Sequence, residues 1–122
     1  MGIVPAVISP FVVAKIGVNN ARRYFVTGEI FDAQTACDIG LVSEVVADDE
    51  ALDEKVNELV TAITANGPIA VKESKKLITE VTTRPRAEAF DYAVDTIARL
   101  RVSEEGQEGL SAFLEKRKPG WQ

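Results

Sequence analysis

Beyond residue 50, apolar residues recur every three or four positions. Leu52, Val56, Leu59, Val60 and Ile63 form one stripe, and Phe90, Ala93, Val94, Ile97 and Leu100 form another. This spacing matches the roughly 3.6-residue turn of an α-helix rather than the alternation of a strand, so this half of the chain reads as amphipathic helices. Each stripe is bounded by residues that stop or start helices. "ADDEAL" sets three acids at the head of the first, where the helix dipole favours them. Asn66-Gly67 ends it, and Pro68 opens a second helix that carries Lys72, Lys75 and Lys76 to about Val81. Thr82, Thr83, Arg84 and Pro85 form the candidate hinge before the Phe90 helix. Ser103 caps a last helix, and Pro119 ends it.

The first half follows the same rules. Pro10 opens a short helix through Ile16 that Gly17 stops. Asn19 or Asn20 then caps a helix carrying Arg22, Arg23, Tyr24 and Phe25, which ends at Gly28. Asp32 is placed to cap residues 33–39, with Gly40 in the left-handed position that follows. Only "LVSEVV", residues 41–46, is rich enough in β-branched residues to read as a strand. The expected fold is therefore mainly α, with about six helices and one short strand. The apolar helix faces point to a bundle or to association with a partner.

Composition narrows the function. A net charge of −5 argues against binding nucleic acid or an acidic membrane surface. The single cysteine, Cys37, excludes an intrachain disulfide and suits a reducing, cytoplasmic setting. There is no histidine, which removes the commonest general base and metal ligand, and no metal site is expected. The opening "MGIVPAVISPFVVAKIG" lacks a basic leader and is broken by two prolines, whereas a span needs about 20 apolar residues. It reads as a buried segment, as if the chain began inside a core.

Few residues suggest chemistry. Asp48, Asp49 and Glu50 serve a helix start, Glu54 and Glu58 are a solvated pair, and Cys37 reads as buried and inert. "EGQEG" lacks the strand and the Lys-Ser/Thr of a phosphate loop, so its glycines read as bends or close-packing points. The closing "EKRK" has two readings. Lys116, Arg117 and Lys118 could sit in the last helical turn and offset its dipole, each by about 0.3–1 kcal/mol. Alternatively, with Phe113 they could hold a phosphate and a purine ring together.

Three stretches carry a resemblance. "ARRYFVTGEIFDAQTACDIGLVSEVV" (residues 21–46), "GPIAVKESKKLI" (67–78) and "SEEGQEGLSAFLEKRKPGW" (103–121) resemble, in order, segments of the enoyl-CoA hydratase/isomerase (crotonase) superfamily. The resemblance implies the C-terminal helical region of a crotonase-like α/β spiral fold. It divides the chain into the tail end of the spiral core, residues 1–46, and a helical oligomerisation region, residues 47–122. "MGIVPAVISP" resembles the stretch just after that family's second catalytic glutamate, so both catalytic glutamates and the oxyanion hole are expected upstream.

Hydration of an enoyl thioester needs a carboxylate pair and backbone donors for the thioester oxygen, so no catalytic residue is assigned here and the chain alone is expected to be inactive. The expected substrate is a CoA thioester, with no covalently bound cofactor. Phe113 and Lys116 match the family's contacts to CoA in a neighbouring subunit, which implies a homo-oligomer of trimer type. The resemblance also implies that Pro5, Ala6, Val7 and Ile8 belong to the substrate pocket, with bulky Val7 and Ile8 at a helix entrance reshaping its acyl part. The glycine-free "AVISP" resembles a subgroup acting on branched acyl-CoAs. A helical self-association module without catalysis and a piece of an enoyl-CoA isomerase are the alternatives.

Overall fold

A computed structural model describes residues 2–122. Among them are six helices: α1 (Ser9–Thr27), α2 (Ala33–Asp38), α3 (Asp49–Thr64), α4 (Pro68–Thr83), α5 (Arg86–Arg101) and α6 (Glu104–Glu115). They fall into two compact units, one running to Leu52 and the other spanning Asp53–Gln122.

In the first unit, Gly17 interrupts α1 as the sequence predicts. Its φ of 74° and ψ of 165° lie in a region open essentially to glycine, and helix continues on both sides of it. The expected asparagine cap is not formed by Asn20. Its side-chain amide instead donates to the Ile16 carbonyl at 2.9 Å, beside the break. Gly28, left-handed at φ 64°, ends the helix by donating its N–H to the Tyr24 carbonyl.

Asp32 caps α2, with Oδ1 accepting the Thr35 N–H at 2.8 Å, and that bond holds the Asp32 carboxyl below its ordinary range. Gly40 takes the expected left-handed turn at φ 81°.

The expected strand over residues 41–46 is not there. The amides of Leu41 and Val42 both turn back onto the Ala36 carbonyl, at 2.8 and 3.3 Å, and the rest is bend and coil. β-Branched residues favour a strand only where a neighbouring strand accepts the ladder, and the described residues supply none. Cys37 is half-buried rather than buried, with its thiol 3.6 Å from the Ser43 carbonyl.

In the second unit, α4 and α5 form a hairpin across the turn at Arg84-Pro85. That turn is pinned: Arg84 pairs with Glu80 at 2.6 Å and lies over the Tyr92 ring. Glu73, early in α4, meets Arg99, late in α5, at 2.6 Å, so the two helices run antiparallel. The bond from Arg99 also holds the Glu73 carboxyl below its ordinary range.

Helix α6 crosses the open end of the hairpin. Ser103 caps it as expected, accepting the Gly106 N–H at 3.1 Å. Gly106 is a close-packing point, since a Cβ there would overlap the Leu100 carbonyl. Most buried side chains are small: Ala89, Thr96 and Ala112 here, and Ala21 and Ala36, together with the larger Ile16, in the first unit. Small residues let helices approach closely, but they bury little apolar area. The α3 stripe forms as predicted, yet Leu52, Val56, Leu59, Val60 and Ile63 each stay about half exposed. No helix among the described residues is long and apolar enough to cross a membrane.

Candidate functional site

Helix α6 stops earlier than its sequence suggests. Its last helical residue is Glu115, so Lys116, Arg117 and Lys118 do not lie in the final helical turn and cannot offset its dipole from there. Instead, Lys116 adopts φ 55° and ψ 37°, the only positive φ at a non-glycine among the described residues. The Arg117 N–H reaches the Ala112 carbonyl at 3.0 Å and the Lys116 N–H reaches that of Phe113 at 3.3 Å. This double closure is the Schellman turn, in which glycine is the usual left-handed residue. A side chain in that conformation costs about 1–2 kcal/mol.

Both residues expected at a ligand contact lie at this turn. Phe113 is 81% exposed, and Lys116 follows it three residues later. Arg117 is engaged elsewhere: its guanidinium meets the Glu108 carboxylate at 2.6 and 2.8 Å and Glu115 at 2.6 Å. The chain then folds back. Gly120 donates its N–H to Glu108 at 2.8 Å, and Trp121 lies against Gly109, where a Cβ would stand 3.1 Å from the indole. The Trp121 Nε1–H and the Gln122 side-chain amide both donate to the Ala65 carbonyl, at 3.2 and 2.8 Å.

Pro5, Ala6, Val7 and Ile8 belong to the other unit and form the turn that enters α1. The Pro5 carbonyl accepts the Ser9 N–H at 3.0 Å, and the Ser9 hydroxyl donates to the Ala6 carbonyl at 2.8 Å. Val7 and Ile8 are largely exposed, and Ile8 starts the helix without a side-chain cap. Two acids of this unit have structural partners rather than catalytic ones, since Glu29 pairs with Arg23 and Asp32 caps α2.

An apolar groove of about 550 Å³ runs between α4, α5 and α6, lined by Leu77, Ala93, Ile97, Leu100 and Leu110, with Glu73 as its one acid. It presents no carboxylate pair.

Sequence reasoning missed Glu105, Glu108 and Trp121. Neither acid is marked as a long-range partner by its neighbours in sequence. The one usable signal was the lone tryptophan just past the Pro119 stop.

The described residues thus present two features: a basic turn with an exposed aromatic at the end of α6, and an apolar groove between α4, α5 and α6. Residues 1–122 match the Enoyl-CoA hydratase/isomerase family, and the chain belongs to it. It is 37% identical over 110 residues to the enoyl-CoA hydratase EchA19 of Mycobacterium tuberculosis, a match covering 90% of this chain and 41% of that protein. A crotonase-type enoyl-CoA hydratase/isomerase structure from Legionella pneumophila superposes with a TM-score of 0.88 at 43% identity, covering 99% of this chain and 47% of that one. Pseudomonas aeruginosa AtuE gives a TM-score of 0.93 at 37% identity, covering 98% and 46%. The chain thus spans less than half the length of these relatives and corresponds to their C-terminal portion.

Proposed function

We propose that this chain is the C-terminal portion of an enzyme that reversibly hydrates a 2-enoyl-CoA thioester, and that its own contribution is to hold the CoA end of the substrate. The carrying observation is Lys116, a lysine kept in a conformation suited to glycine beside an exposed phenylalanine. Strain of this kind persists where neighbouring bonds over-determine it and is enriched at ligand sites. An ammonium on a short turn suits a phosphate, and the Phe113 ring offers a face to a purine. Pro5, Ala6, Val7 and Ile8 are the proposed edge of the acyl pocket.

The half-exposed stripe of α3 supports assembly as a homo-oligomer, because apolar area of that extent favours a partner surface. The 122 residues by themselves are proposed to be inactive, since hydration needs a carboxylate pair free to act and an oxyanion hole, whereas Glu108 and Glu115 are both tied to Arg117 and the groove has Glu73 as its one acid.

The test is to follow loss of the enone absorbance of crotonyl-CoA with the purified chain, beside a full-length hydratase. Background rate from the chain and turnover by the control are expected. Turnover proportional to the chain's concentration would reject the proposed inactivity. The CoA-holding role is read separately, as amide shifts at Phe113 and Lys116 on adding 3′-phosphoadenosine 5′-diphosphate, the nucleotide end of CoA.

A further inference from the structure

The Glu108 carboxylate gathers three donors from beyond the end of its own helix. Arg117 Nη1 and Nη2 take one oxygen each, at 2.6 and 2.8 Å, and the Gly120 N–H shares the first oxygen at 2.8 Å. The charged fork and the backbone amide lie on opposite sides of Pro119, so one side chain fixes both ends of that short turn. Beyond it, Trp121 and Gln122 are anchored on Ala65, just past the end of α3. The returning tail is thus tied at two places: at Glu108 on α6, and at the α3–α4 junction.

We propose that Glu108 is a positioning residue for the Phe113–Lys116 turn: by gripping Arg117 and Gly120 it folds the tail back along α6 and holds Lys116 left-handed, its N–H on the Phe113 carbonyl. This rests on the reading of that turn as the contact for the nucleotide end of CoA. Two features of the geometry support it. A left-handed lysine relaxes unless its neighbours hold it, and Arg117, the next residue, is held through its backbone by Ala112 and through its side chain by Glu108 and Glu115. Those same carboxylates absorb the charge of Arg117. Recognition of an anion at this turn therefore falls to Lys116 and Lys118, neither of which has an ion-pair partner among the described residues, and Lys116 is the one that the left-handed turn fixes. The Glu108 carboxyl is held down to about 2 by its bonds from Arg117 and then Gly120, so the clasp stays charged through the neutral range.

Trp121 is the only tryptophan, so its emission reports the tail directly. The experiment compares the 122-residue chain with its Glu108→Gln, Arg117→Gln and Arg117→Lys variants. Expected are a red shift of Trp121 emission and stronger acrylamide quenching in Glu108→Gln and Arg117→Gln at unchanged helical circular dichroism. Arg117→Lys, which keeps the charge and loses the fork, should fall between them and the parent. Amide shifts of Phe113 and Lys116 on adding 3′-phosphoadenosine 5′-diphosphate should appear in the parent and vanish in Glu108→Gln. If Glu108→Gln loses helicity, the same comparisons are made with Arg117→Gln. Unaltered Trp121 emission in both glutamine variants, or nucleotide shifts that survive them, overturns the positioning role. A parent chain with no nucleotide shifts rejects the CoA reading instead, and the Trp121 result then decides whether Glu108 holds the tail.

Discussion

The carboxylate of Glu105, on α6, accepts the backbone N–H of Ala70, on α4, at 2.7 Å across 35 residues of sequence. Its second oxygen takes the Ile69 N–H at 2.9 Å, so the first turn of α4 is capped by a side chain from another helix. Gly67 and Pro68 provide no side-chain acceptor of their own. Replacing Glu105 with Ala should cost about 1 kcal/mol, as loss of a helix cap does. Hydrogen exchange would show the effect as faster exchange at Ile69 and Ala70, ahead of the rest of α4. Uniform exchange across α4 would mean that the cap carries no local stability.

Substituting Lys116 by Gly separates stability from binding. Glycine takes the left-handed position without strain, so urea unfolding should show a gain of about 1 kcal/mol. The same change removes the Lys116 ammonium, and the nucleotide response at Phe113 should weaken. If stability does not change, the turn is not strained by its lysine.

Gly17 is the corresponding test in the first unit. It sits at φ 74° and ψ 165° in open space, and a Cβ added there would meet nothing within 4 Å. Any penalty from Gly17→Ala is therefore conformational rather than a clash. The expected loss is about 1–3 kcal/mol. A melting temperature equal to that of the parent would show that the chain straightens through this point at no cost.

The Glu108 clasp has a defined acid limit. Its folded-state value of about 2 lies below the ordinary 4.5, so its stabilisation is complete above pH 4.5 and is lost as the pH falls towards 2. Comparing thermal melts of the parent and Glu108→Gln across that range should give a gap that is constant above pH 4.5 and closes below it. A gap that persists in full at the acid end would assign the stabilisation to something other than the ionised carboxylate.

Much of the fold was legible because its determinants are local. Asp32 before α2, Ser103 before α6, the glycines at 17, 28 and 40 and Pro68 at the head of α4 each act within a few residues of themselves, and each is found where the spacing places it. The run at 41–46 misled because strand preference is conditional on a neighbour, and the Ala36 carbonyl captured its first two amides instead. For the site, the sequence marked Phe113 and Lys116 but put the cations inside the helix. Nothing in the local composition says that a lysine will take the place of a C-terminal glycine.

By itself, then, the sequence determined the six helices, their stripes and the family, since periodicity, caps and motif order are all carried by neighbouring residues. Tertiary structure alone decided which acid caps α4 and where the tail is anchored. Glu105 finds Ile69 and Ala70, and Trp121 finds Ala65, over separations of 35 to 56 residues. Contacts at that range exist only once the helices have packed, because chain closure brings together donors and acceptors that no local rule can pair.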